Sequence, residues 1–215
     1  KNVFSRRKEK QINRVEVSVR EINFSGFKLE ALHQKIFAAD DLKILGCDLD
    51  LYRDKRVPFR NETEIPMPME ALKNLPVAID IKRVDLVEAL VRYEEFALKG
   101  KMSGKVFFEK VNVGIQSFTN RPKPNSPEYM RVDISGLLMG KGSLKAVFTF
   151  PFNEKTKYTA KGILEELDLT LMNEAAENLA GVRLKRGIIH SLRFNFDYDS
   201  ENSQGELELQ YSDVK

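Results

Sequence analysis

Two histidines, His33 and His190, and three adjacent acidic pairs, Asp40-Asp41, Glu94-Glu95 and Glu165-Glu166, are the side chains best suited to acid–base chemistry. Nucleophilic catalysis needs a nucleophile held against a base, and no Gly-x-Ser-x-Gly elbow accompanies either histidine. The neighbours His190-Ser191 do not form such a pair, because adjacent residues of a strand point to opposite faces. Each histidine therefore reads as a polar strand residue, and each acidic pair as part of a charged strand edge or turn. Gly140-Lys141-Gly142 lacks the remaining glycines and the following helix of a phosphate loop, so it reads as a hairpin turn. The stretch "DYDSENSQGELE" sets Asp197, Asp199, Glu201 and Glu208 at positions 1, 3, 5 and 12 of a calcium loop. Asn202, however, occupies the position where the sharp turn requires Gly, which leaves a polar hairpin loop. A single cysteine, Cys47, excludes an intrachain disulfide and a cysteine-based metal site, and reads as a small core residue. No catalytic residue, metal or cofactor is expected.

The elements that carry these residues are mostly strands. In "INRVEVSVREINFSGF" (12–27), Val15, Val17 and Val19 share a face, with Ile22 and Phe24 following. A short helix or turn at 28–36 precedes the strand 42–54, where Leu45, Cys47, Leu49 and Leu51 alternate with Gly46, Asp48 and Asp50. A loop from Arg56 leads to a two-turn helix with Pro68 in its first turn and Pro76 as its stop. Strands are expected at 79–97, at 104–120 with Val111, Val113 and Ile115 on one face, and on both sides of the 140–142 turn. Three prolines in "RPKPNSPE" mark a surface loop. After a strand through "KYTAKGILEELDL", the clearest helix is "LTLMNEAAENLAG". Its Leu171, Ala175 and Leu179 stand four apart, and Gly181 is its left-handed cap. "VRLKRGIIHSLRFNFDYD" and "GELELQY" close the chain as strands. Many strands, few helices and no β–α–β rhythm predict a mainly β, α+β fold: a large, twisted, antiparallel sheet with two or three short helices.

The chain has 215 residues, 42% hydrophobic and 31% charged, which fits a folded protein. A net charge of +3, with Lys and Arg interleaved among Asp and Glu, is too weak to imply nucleic acid. The run Arg6-Arg7-Lys8 with Lys10 is a local exception and reads as a solvated start of chain. No apolar stretch approaches the roughly 20 residues that span a bilayer. The start at Lys1 without Met and the strand-like ending "YSDVK" suggest a single β-rich segment of a longer protein, with a subdivision near 76/77.

Chemistry thus turns from polar clusters to apolar faces. Leu144, Ala146, Phe148 and Phe150 line one side of a strand. Leu192, Phe194, Phe196 and Tyr198 line one side of another, and Leu207 and Leu209 follow in the next. These ten residues are the candidate site. They floor either the closed core of a sandwich or an open apolar trough that lipid or protein must fill.

A resemblance bears on that choice. Leu171, Asn173, Leu179, Lys185, Gly187, Leu192, Phe194, Phe196, Gly205, Leu207, Leu209, Tyr211, Asp213 and Val214 follow a characteristic order. A Leu/Asn helix comes first, then a strand with a basic residue and Gly, an alternating strand, a polar turn and a Gly-x-Leu-x-Leu-x-Tyr ending. This order resembles the C-terminal signature of AsmA-like (DUF748-related) envelope proteins of the Bacteroidetes type. "VRYEEFA", "FFEKVNVGIQSFTN" and "VDISGLLMGKGSLKAVFTFPF" are similar to the part that precedes it. Arg186 before the glycine departs from the pattern, as does the lack of an N-terminal anchor. The resemblance, which extends to TamB and the bridge-like lipid-transfer proteins, implies a non-enzymatic periplasmic segment tied to the inner membrane by an anchor outside it. Its ten apolar residues would floor a groove for phospholipid or another acyl-chain lipid during outer-membrane biogenesis. The alternative is a structural or assembly module with a closed core and no lipid.

Overall fold

A computed structural model describes residues 13–57, 66–153 and 156–215. The described residues form one sheet of nine strands in chain order: β1 (Arg14–Ser25), β2 (Ile36–Asp54), β3 (Ala78–Phe96), β4 (Ser103–Thr119), β5 (Tyr129–Leu138), β6 (Gly142–Pro151), β7 (Tyr158–Asp168), β8 (Ile188–Tyr198) and β9 (Ser203–Ser212). β1 and β9 are the two edges and do not pair with each other, so the sheet is not closed. The helices are short: α1 (Leu29–His33), α2 (Pro68–Lys73) and a composite helix over 169–180. The fold is mainly β, as its alternation predicts.

Four features depart from the sequence reading. β2 and β3 pair in parallel, from Ile36 with Ala78 to Asp54 with Phe96, so the sheet is mixed. The chain between them, including α2, is the crossover that parallel neighbours require, a β–α–β unit that the irregular spacing hides. The helix at 169–180 is not a regular α-helix. It runs as a 3-10 turn (Leu169–Met172), one α turn (Asn173–Ala175) and a π turn (Ala176–Ala180) before Gly181, which caps it at φ 69°. Its ends are tied by tertiary hydrogen bonds: Asn173 to both backbone groups of Leu184, and Asn178 Nδ2 to the Ser103 carbonyl, each at 2.8 Å. These bonds hold Ala175 and Leu179 together over Gly104, where a Cβ would lie 2.5 Å from Leu179 Cγ. Residues 182–187 are a loop, so β8 starts only at Ile188. His33, finally, ends a helix and lies on no strand. The basic run at 6–10 and most of the loop before α2 lie outside the described residues.

Within the long strands the apolar positions change parity. Val15, Val17 and Val19 are followed by Ile22 and Phe24, Leu42 and Ile44 by Cys47 and Leu49, Val84 and Leu86 by Ala89 and Val91, and Phe108 by Val111 and Val113. In a regular strand each slip would send the later residues to the opposite face. The structure absorbs the slips in irregularities that line up across the sheet. Gly46, Glu88 and Lys110 adopt left-handed backbone at φ 59°, 55° and 50°, and β1 skips Arg20 at the same level. Each adds one residue to its strand and returns the apolar side chains to a common face. Glu166 on β7 does the same at φ 53°, so Leu164 and Leu167 join one cluster.

Two buried clusters close the ends of this face. Met69 and Leu72 of α2 pack with Met130, Phe118, Phe150 and Tyr158. At the other end Leu169, Leu171 and Met172 of the composite helix cover Leu164, Leu167 and Ile189.

The aligned bulges can be tested from both sides. Gly46→Ala should destabilise by about 1–2 kcal/mol, because an L-residue strains at this φ and its Cβ would lie 3.1 Å from Arg20 Cζ. Glu88→Gly, which relieves the same strain, should leave the melting temperature unchanged or raised. Thermal unfolding followed by circular dichroism reads both. Equal losses from the two variants would contradict the bulge account.

Candidate functional site

Between the two end clusters the strand register assembles complete apolar rows. One row takes a residue from every strand: Ile22, Ile44, Leu86, Val113, Ile134, Ala146, Gly162, Phe194 and Leu207. The next row, Phe24, Leu42, Val84, Ile115, Val132, Phe148, Ala160, Phe196 and Gly205, is also without a polar side chain. At about 4.8 Å between strands the rows extend for roughly 38 Å.

All ten candidate residues lie on this face. Leu144 pairs through Leu164 with Leu192 and Leu209, Ala146 through Gly162 with Phe194, Phe148 through Ala160 with Phe196, and Tyr198 stands opposite Tyr158. They do not share one environment. Phe150 belongs to the α2 cluster, and Leu144 and Leu192 to the composite-helix cluster. Tyr198 stacks on Tyr158 at 5.4 Å, and burial pushes its hydroxyl above the ordinary pKa, with Tyr158 adding to the rise. Phe148, Phe194 and Phe196 are half-buried in the interval between the clusters, beside a buried Ala146, while Leu207 on the edge strand is 58% exposed.

Two glycines shape the aromatic part of the interval. Phe194 stands opposite Gly162, and its ring lies across the bare backbone there, so that a Cβ on Gly162 would come within 2.6 Å of Phe194 Cζ. Phe196 lies against Gly205 in the same way. Glycine at these two positions lets a ring lie flat on the sheet, and this keeps the face low and continuous. Ile44, Leu86, Val113, Ile134 and the two glycines complete the rows yet are absent from the sequence-level candidates. Their alternation was visible, but the register that joins it across strands was not.

The opposite face is polar. Between the two apolar rows, on the other side, runs Asn23, Lys43, Asp85, Gly114, Asp133, Val147, Lys161, Asn195 and Glu206. A cavity of about 1150 Å³ opens here, bordered by Lys43, Asp85, Lys145, Lys161, Arg193 and Glu206 among others. Because β9 lends it Glu206 and Glu208 but not Leu207, this concavity belongs to the polar face. Leu86, Val113, Ile134, Ala146 and Phe194 of the first apolar row also border this cavity. Ion pairs organise the polar side. Arg131 holds the Asp133 carboxyl below its usual range at 2.7 Å, and Arg193 lies 3.6 Å from Glu208.

The residues first considered for chemistry are dispersed. His33 sits on α1, and His190 meets Ser212 at the far end of the sheet, 2.9 Å apart. Asp40 pairs with Lys82 and Asp41 accepts from Ser25. Glu94 accepts from Ser103, and Glu95 pairs with Lys55. Glu166 occupies the β7 bulge. Asp199 accepts from the amides of Glu201 and Asn202, which closes the β8–β9 turn. Gly140 and Lys141 form the β5–β6 turn. Among the described residues no group of acidic, histidine or cysteine side chains is placed to hold a metal.

In comparisons with known proteins, no family model, curated protein or solved structure matches the chain.

The half-exposed aromatics carry a stability prediction. Phe194→Ala and Phe196→Ala should each cost about 1–2 kcal/mol in urea unfolding, below the 3–5 kcal/mol of a fully enclosed phenylalanine. A loss at the enclosed level would mean that the interval is sealed.

Proposed function

We propose that this chain is a non-enzymatic segment that holds acyl chains against its apolar sheet face. In that role it contributes to lipid transport or outer-membrane assembly in a Gram-negative envelope. The observation that carries the reading is the pair of apolar rows, unbroken across all nine strands, whose Phe148, Phe194, Phe196 and Leu207 stay partly or largely exposed between the end clusters while Val84 is buried with Leu42 and Ile115 packed against it. An acyl chain laid along them gains roughly 0.8 kcal/mol per methylene removed from water, with no need for a catalytic group. The AsmA-like motifs support the periplasmic setting and an inner-membrane anchor elsewhere in the full protein. A second reading, a structural or assembly module whose apolar face is covered by protein, is favoured by the position of the cavity on the polar side.

The two readings part on lipid. The purified chain, extracted with chloroform–methanol, should yield co-purified phospholipid or fatty acid, and it should bind the fluorescent fatty acid cis-parinaric acid. Phe196→Gln should lower that binding several-fold while the melting temperature falls by no more than about 4–8 °C, the shift expected for about 2 kcal/mol at this length. A chain that carries no lipid, binds none and loses far more stability in this variant would sink the acyl-chain reading.

A further inference from the structure

The end of the sheet beside the composite helix carries a surface that the acyl-chain reading does not use. Two segments lie there, joined through Ser103 and the composite helix. The β3–β4 turn, Ala97-Leu98-Lys99-Gly100-Lys101-Met102, leads into Ser103, whose carbonyl accepts from Asn178 at 2.8 Å. The loop after the helix, Gly181-Val182-Arg183-Leu184-Lys185-Arg186-Gly187, starts three residues further on, with the Val182 amide bonded to the Ala176 carbonyl. Lys105 of β4 and Glu174, 2.9 Å apart, add a second tie between the start of β4 and the helix. The chain end joins the same surface, since Lys185 and Arg186 exchange backbone hydrogen bonds with Lys215 at 2.8 and 3.1 Å.

The two segments hold five cations and no acid. Arg183 pairs with Glu177, while Lys99, Lys101, Lys185 and Arg186 are exposed. Between these charges stand large apolar side chains with nothing over them: Leu98 is 67% exposed, Met102 66% and Val182 52%. Three acids flank the surface: Glu94 accepts from Ser103 at 2.8 Å, Glu177 pairs with Arg183, and Asp213 stands one residue from exposed Val214. Apolar side chains proud of the surface and ringed by Lys and Arg match the layered chemistry of an anionic bilayer. The first enter the acyl boundary, and the second meet the phosphates.

We infer that the surface formed by residues 97–102 and 181–187 docks onto an anionic lipid bilayer. The surface lies on two turns and needs no lipid in the apolar rows, so it is independent of the acyl-chain reading.

Sedimentation of the whole chain with vesicles tests this. Vesicles of phosphatidylcholine with 30% phosphatidylglycerol should pull down the protein in about 0.15 M salt, and pure phosphatidylcholine vesicles should not. Each cation removed should weaken the partition roughly fivefold, so K99E/K101E should reduce it by more than 25-fold. L98S/M102S should weaken it several-fold with all charges intact, and the melting temperature should stay unchanged because both residues are exposed. K145E/K161E, an equal charge reversal on the polar face, should leave binding near the wild-type level. Absence of vesicle binding would overturn the proposal, as would equal loss from K145E/K161E. An L98S/M102S variant that binds as well as wild type would also overturn it, since the surface would then be a site for any polyanion.

Discussion

Nine strands must present their apolar side chains to the same side, and everything else in this molecule depends on that constraint. A strand alternates faces every residue, so a one-residue slip anywhere would turn Leu, Val and Phe into solvent and Lys and Asp inward. The long strands do slip, at Arg20, Gly46, Glu88 and Lys110, and the slips fall side by side. A bulge on one strand alone would break the ladder with its neighbours. Aligned bulges let β1 to β4 shift phase together, so the face survives with its hydrogen bonds largely intact. The strain of a left-handed backbone at Glu88 and Lys110 is the cost of that continuity.

With one apolar face and few helices, the sheet cannot bury all of its hydrophobic surface. The two short helical elements cover its ends and leave the middle. Met69 and Leu72 serve one end, and Leu169, Leu171 and Met172 the other. What remains are the rows through Phe148, Phe194 and Phe196; the Phe194 and Phe196 rings lie on glycine backbone, and Phe148 stacks on Phe150. Under the proposed reading, the exposed part of this apolar area is where another molecule lies. An acyl chain suits it because binding then requires area and not a polar constellation.

The two sides of the sheet, and its turns, divide the remaining work. Charged rows, paired through Arg131 with Asp133 and Arg193 with Glu208, keep the opposite face hydrated. Glu206 and Glu208 place charge on the β9 edge, which discourages uncontrolled strand addition. In the proposed reading, the basic turns at one end would bring the apolar face close to a lipid source or acceptor.

The sequence alone determined the element types and most of the candidate face. Strict alternation at Leu144–Phe150, Leu192–Tyr198 and Leu207–Leu209 is a local property, imposed by the period of the strand. Pro68, Pro76 and Gly181 act within a few residues of themselves, so they too were legible. The slips in parity were present in the sequence as well, but only pairing shows that they lie abreast. Tertiary structure decided the parallel match of β2 with β3, because no local signal records which distant strand becomes a neighbour. It decided the 3-10, α and π character of 169–180, where Asn173 bonds the following loop at Leu184 and Asn178 bonds Ser103, 75 residues away. It also decided that the sheet hollows on its polar face, since curvature is a collective property of many paired strands. Alternation tells which side chains share a face; only the assembled sheet tells which face is covered.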